Sequence, residues 1–196
     1  LNMGNKIAVN PHPAYNFFKI KDMTKEEGRK LLNLSTENKV LLFFGLVREY
    51  KGLKHLLNAM PDIAKKYPEV RLIIAGDFGN GRDKYNEMIE NLKIGDFIQI
   101  HDGHIPIPDV EKFFAACDLV VLPYESATQS GVIQAAYGFE KPVLATNVGG
   151  LPDAVNAYLE TKNIQRVREI QNEIHDYYAA DASKYDAERK LKIRRV

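Results

Sequence analysis

The chain has 196 residues, 45% of them hydrophobic and 27% charged, an ordinary balance for one α/β domain with a sizeable core. A net charge of +1 gives no bulk attraction to nucleic acid or an anionic membrane, and no apolar run approaches the roughly 20 residues that a bilayer-spanning helix needs. The single cysteine, Cys117, excludes an internal disulfide framework and, set among apolar helix residues, reads as a buried, inert thiol.

Strands and helices alternate along the chain. Lys6–Val9 is a short apolar strand closed by Pro11. Thr24 and Glu27 have capping-box spacing and start a helix to about Leu34. Val40–Phe44 is an apolar run ended by Gly45. Gly52–Tyr67 carries Leu53, Leu56, Leu57, Met60, Ile63 and Ala64 at helical spacing and stops at Pro68. Val70–Ala75 is a strand closed by Gly76, and the loop Phe78-Gly79-Asn80-Gly81 lacks the ending of a P-loop. Arg82–Lys93 reads as a helix with Tyr85, Met88, Ile89 and Leu92 on one face. Phe97–Ile100 is a strand and Asp109–Cys117 a helix. Leu119–Leu122 is an apolar strand, Ser130-Gly131 opens a helix, Pro142–Ala145 is a strand, and Gly149-Gly150 precedes a last helical start with Pro152 at its first position. Asn156–Val196 is charged and rich in tyrosine and lysine, and reads as one or two solvated helices.

Apolar strands separated by helices predict a buried parallel sheet with helices on both faces, a Rossmann-like three-layer sandwich. Every strand-to-helix loop then lies at the carboxyl edge, where doubly wound folds bind ligands. Two of those turns, Ser130-Gly131 and Gly149-Gly150, place bare backbone N–H groups at helix N-termini. Such termini attract anions, because the first N–H groups have no helical partner and the helix dipole is positive there. Two side by side suit a diphosphate.

The motifs Phe44-Gly45, Arg48, Tyr50-Lys51-Gly52-Leu53, Pro123-Tyr124, Ser130-Gly131-Val132, Lys141-Pro142-Val143 and Gly149-Gly150-Leu151-Pro152-Asp153 follow one another over roughly residues 5 to 155. In that order they resemble the C-terminal half of family-4 glycosyltransferases of the GT-B fold. The resemblance implies a nucleotide-sugar-binding domain over residues 1–155 and a helical tail over 156–196 that packs on it. It implies the second half of a two-domain enzyme, inactive alone, that moves a sugar with retention from a nucleoside-diphosphate sugar, of the UDP or GDP type, to a carbohydrate or lipid-linked acceptor in polysaccharide biosynthesis. The acceptor would sit mainly in the N-terminal domain. The enzyme would be cytoplasmic, or peripheral at the membrane through that domain, with no bound metal, no cofactor and no nucleic acid. The alternatives are a non-catalytic nucleotide-binding or interaction domain of GT-B type, and half of a nucleotide-sugar epimerase.

Carried over by residue, Lys51, Arg48, Ser130, Gly131 and Val132 would bind the donor diphosphate. The Arg that the family places directly after its glycine is Leu46 here, so Arg48 stands in as second cation. Aligned on Lys141-Pro142-Val143, the family's two glutamates across this turn fall on Ala127 and Ala135. Gln129, Gln134 and Glu125 are the nearby polar substitutes toward sugar and ribose, with Gly149, Gly150 and Leu151 beneath. His101, Gly103, His104 and Ile105 would grip the base. His12 and Tyr15 either line the inter-domain cleft or pack. Two histidines three apart lack a third ligand of suitable spacing for a metal. No general base or nucleophile can be named.

Overall fold

The computed structural model describes residues 14–162, with side chains described through Asn156. The expected strand Lys6–Val9, His12 and all residues from Asn163 on lie outside the described residues. The strands are β1 (Lys39–Phe44), β2 (Val70–Gly76), β3 (Ile98–Asp102), β4 (Leu119–Leu122) and β5 (Val143–Ala145), all parallel, in the order β3-β2-β1-β4-β5. The helices are α1 (Lys25–Leu31), α2 (Leu53–Lys66), α3 (Arg82–Asn91), α4 (Ile107–Ala116), α5 (Gly131–Gly138) and α6 (Leu151–Lys162).

The alternation of side chains along each strand sorts the core into two layers. Val40 and Leu42, Ile73 and Ala75, Val120 and Leu122, and Val143 face α4, α5 and α6, whose Phe113, Phe114, Ile133, Ala136 and Leu151 are buried among them. Phe43, Leu72 and Ile74, and Leu119 and Val121 face the other way, onto Leu53, Leu57 and Met60 of α2 and Tyr85 and Ile89 of α3. Both faces of the sheet are covered, which is why its strands read as continuous apolar runs. The chain winds outward from β1 to β3, then returns to place β4 on the other side of β1. The topological switch point therefore lies between the carboxyl ends of β1 and β4.

The helices expected between Thr24 and Val155 form, with shifted ends. The Thr24 hydroxyl accepts from the Glu27 N–H at 3.2 Å and the Glu27 carboxylate accepts from the Thr24 N–H at 2.8 Å, a complete capping box. That helix stops at Leu31 because Asn33 turns left-handed, with φ of 55°, and α3 ends before Lys93 for the same reason, at 54°. Helix α4 begins at Ile107, earlier than expected, because Pro108 fits a first turn where its missing N–H costs nothing. The third strand starts later than expected, behind a 3-10 turn at Gly95–Phe97. Helix α6 starts at Leu151, so Pro152 is its second residue, and it runs on through Lys162.

Two buried charges bind segments distant in sequence. Arg29, 4% exposed, donates to the carbonyls of Ala116, Thr36 and Asn38 and pairs with Asp118 at 2.8 Å, joining α1 to the loop before β4. Glu111, 1% exposed, accepts from the backbone N–H groups of Ile20, Lys21 and Met23 at 3.0, 2.8 and 2.9 Å. Glu111→Gln turns one acceptor into a donor facing N–H groups. We expect it to cost about 1–3 kcal/mol, read as a lower urea midpoint at unchanged slope. An unchanged midpoint would mean that these N–H groups find other acceptors.

Candidate functional site

The loop after β1 is shaped by two glycines in left-handed backbone, Gly45 with φ of 96° and Gly52 with φ of 65°. Between them Glu49–Lys51 makes one 3-10 turn, which Gly52 ends as it starts α2. A Cβ on Gly52 would overlap the carbonyl oxygen of Pro123, so only glycine lets the loop lie against the end of β4. Lys51 is thereby held at 9% exposure. Its ammonium stands 5.6 Å over the Tyr124 ring and 3.3 Å from where a Cβ of Gly45 would be. Among the described residues no carboxylate pairs with it. Burial, and next the positive charge of Arg48, hold its pKa below the ordinary lysine value.

The facing element is the first turn of α5. Ser130 holds the N-cap position with extended backbone, but its side chain does not cap the helix. Its hydroxyl is turned instead toward the Tyr124 O–H, 3.5 Å away. Desolvation pushes the Tyr124 phenol up to about 12, so it stays protonated at neutral pH. The N–H groups of Gly131 and Val132 open the helix, where no intrahelical acceptor exists. A Val132 methyl lies 3.6 Å from the same Gly45 Cβ position that the Lys51 ammonium approaches. A buried cation and a helix N-terminus thus flank one spot at the switch point.

The other sequence-derived candidates spread along the same edge. Arg48 is exposed, and its guanidinium donates to the Val47 carbonyl at 2.9 Å and points at that of Asp77 at 3.4 Å. It borders a cleft of about 380 Å³ between the loops after β1 and β2, with Phe78 and Tyr85 among its lining. Glu125 is engaged by Lys54 and His55 of α2, both at 2.8 Å, which hold its carboxyl down to about 2, so the side chain ties the loop after β4 to the first turn of α2. Gln129 is exposed, and the backbone carbonyl of Gln134 accepts from the Tyr15 N–H at 2.9 Å. Gly149, with φ of 52°, and Gly150 press on the backbone of Ala127 and Thr128, where a Cβ would collide. The Gly150 N–H donates to the Ala127 carbonyl at 3.2 Å. Leu151 is fully buried, so it offers the site backbone alone. Ala135 is 3% exposed, in the core.

The residues assigned to the base sit at the end of β3. His101 stacks edgewise on Phe113 at 4.9 Å, and burial, then Lys112, lower its pKa, which keeps the ring neutral. Gly103, with φ of 110°, donates its N–H to the Gly76 carbonyl at 3.3 Å. His104 is exposed, while Ile105 packs against the core. From β3 across β2 and β1 to β4 is three strand spacings of about 4.8 Å, roughly 14 Å, the reach of an extended nucleoside diphosphate. Sequence reasoning gave no role to Lys54 or His55, and to Gly45 and Tyr124 only a place in a quoted motif; Glu125, expected toward sugar and ribose, is paired with Lys54 and His55.

Fold and site together define a doubly wound α/β domain with a cationic carboxyl edge. The chain belongs to the family of glycosyl transferases group 1, whose model matches residues 24–176. It is 32% identical over 153 residues to a D-inositol 3-phosphate glycosyltransferase of Segniliparus rotundus, covering 76% of this chain and 34% of that protein. It is 34% identical over 106 residues to a GDP-mannose:glycolipid 4-beta-D-mannosyltransferase of Xanthomonas campestris, covering 54% of this chain and 29% of that one. The chain thus spans about a third of the length of these relatives. Among solved structures, the glycosyltransferase WaaG, involved in lipopolysaccharide biosynthesis, superposes with a TM-score of 0.67 at 18% identity, covering 96% of this chain and 54% of its own. Anabaena Alr3699/HepE in complex with UDP-glucose gives a TM-score of 0.60 at 21% identity, covering 80% and 52%. These structural likenesses concern the fold. Among the described residues, no helix is long and apolar enough to cross a membrane.

Proposed function

We propose that this chain is the donor-binding part of a glycosyltransferase. It holds a nucleoside-diphosphate sugar along the carboxyl edge, diphosphate between Lys51 and the first turn of α5, base toward β3, for retaining transfer to a carbohydrate or lipid-linked acceptor held by a further domain. The observation that carries this reading is Lys51: a lysine only 9% exposed, with no carboxylate paired to it among the described residues, beside a helix N-terminus at the switch point. An unpaired buried cation is costly unless a ligand supplies its anion. The family and the names of its relatives support the same reading. In transfer, Lys51, Arg48 and the Gly131 and Val132 N–H groups neutralise charge growing on the leaving diphosphate, a task that takes no resident cofactor in this reading.

The test is a thermal-shift screen of the chain against UDP-, GDP-, ADP- and CDP-sugars and the matching diphosphates. A ligand at 100 times its Kd is expected to add about 2.7 kcal/mol of stability. No shift with any of them at millimolar concentration overturns the reading. One observation favours a second reading, a binding module without catalysis: alanines occupy the places of the family's two glutamates. Binding without turnover by the whole protein that contains this chain would establish it.

A further inference from the structure

The segment Ala14–Phe18 runs along α5 and is clamped to it twice. Tyr15 donates its N–H to the Gln134 carbonyl at 2.9 Å, and its own carbonyl lies where a Cβ of Gly138 would be, so glycine there seats the segment. Tyr15, Phe17 and Phe18 pack on one another with centroids 5.2, 6.4 and 4.2 Å apart. This fixes the Tyr15 ring at the first residue of α5: its edge carbon is 3.4 Å, and its hydroxyl 4.0 Å, from where a Cβ of Gly131 would stand. Lys51, buried and with no carboxylate partner among the described residues, has its ammonium 3.3 Å from the Gly45 Cβ position, which a Val132 methyl of the same turn approaches to 3.6 Å. Tyr15 and Lys51 therefore both stand near the first turn of α5.

We propose that the Tyr15 hydroxyl is a specificity residue of this site, a neutral donor to the phosphoryl group held by the first turn of α5, opposite Lys51. This rests on the donor-binding reading above. In this reading a phosphoryl group accepting from the Gly131 and Val132 N–H groups takes a further hydrogen bond from the phenol, whose oxygen is 4.0 Å from the Gly131 Cβ position, and a charge contact from Lys51. A phenol adds a directed hydrogen bond without adding charge to a site that already holds Lys51 and Arg48. Because Tyr15 belongs to the segment that enters the domain, the chain's path into the fold becomes part of the phosphate site.

The experiment titrates the full 196-residue chain with UDP, GDP, uridine and guanosine, comparing wild type, Tyr15→Phe and Lys51→Ala. Phenylalanine keeps the ring against Gly131 and removes only the donor. The expected result is about a tenfold weaker diphosphate affinity for Tyr15→Phe, with nucleoside affinity and urea midpoint unchanged. Wild-type diphosphate affinity in Tyr15→Phe together with a loss in Lys51→Ala overturns this proposal and leaves the donor site standing. Equal losses for diphosphate and nucleoside overturn it too, since the phenol would then only shape the fold. Undiminished binding by Lys51→Ala, or no binding by the wild type, overturns the donor-site reading and this proposal with it.

Discussion

Replacing Lys51 by alanine is expected to weaken nucleoside diphosphate binding by about ten- to a hundredfold, while nucleoside affinity stays as it was. The contact proposed to be lost is charge-assisted and desolvated, worth about 1.5–3 kcal/mol. Calorimetry on UDP or GDP against the parent nucleoside reads the difference. Equal losses for both would mean that Lys51 only shapes its loop. A second readout comes from the free protein. Folding lowers the pKa of this ammonium below its ordinary 10.5, mainly through burial. Between the lowered value and 10.5 the unfolded chain binds more protons than the folded one, so stability rises with pH across that window. Below the window both states are charged and the full cost of burying the ammonium remains. Lys51→Met is expected to flatten this rise in urea midpoints taken from neutral pH to about pH 11, near the unfolded value. If wild type and variant share one alkaline profile, the ammonium is not desolvated.

The largest loss of stability is expected from Gly52→Ala. Gly52 sits in left-handed backbone at φ of 65°, and its missing Cβ is the space taken by the Pro123 carbonyl. Alanine meets both penalties at once, left-handed strain and overlap with backbone that cannot swing away. Together they cost about 2–6 kcal/mol. At about 2–4 °C per kcal/mol for a chain of this size, Tm falls by roughly 5–20 °C. Gly95→Ala is the control, since nothing stands within 4 Å of its Cβ position and its φ is ordinary. It should stay within about 0.5 kcal/mol of wild type. A Gly52→Ala protein that melts with the control would show that the loop after β1 does not lie on β4.

The sheet was readable from sequence because its strands are covered on both faces and so are uninterrupted apolar runs, as in Leu119–Leu122. Helix starts were readable where a local motif marks them, as at Thr24 and Glu27. Helix ends were less so: Asn33 and Lys93 adopt left-handed backbone without being glycine, and nothing in a lysine announces that. In the site, the order of the motifs pointed to Lys51, Gly131 and Gly149. Burial of the Lys51 ammonium was not legible, since it depends on Tyr124 and on Gly52 meeting Pro123 across the switch point. Nor was Glu111, whose partners lie about ninety residues away. Ser130 shows the limit of local rules: its hydroxyl had a capping position and took a tyrosine partner. Contacts made by topology leave no periodic trace in a sequence.

The loop after β1 and the loop after β4 are fastened at several points: Gly52 beneath the Pro123 carbonyl, the Glu125 N–H on the Tyr50 carbonyl at 2.7 Å, and Lys54 and His55 on the Glu125 carboxylate. Tyr50 and Tyr124 meet edge to face at 6.1 Å. Ordering a loop costs about 1–2 kcal/mol per residue in backbone entropy, and here folding meets that cost before any ligand arrives. The groups proposed to bind the anion are preorganised, so affinity need not be spent on assembling them. On that proposal even a fragment as small as inorganic pyrophosphate is expected to meet a finished receptor, and adding the nucleoside would extend the grip without having to build it.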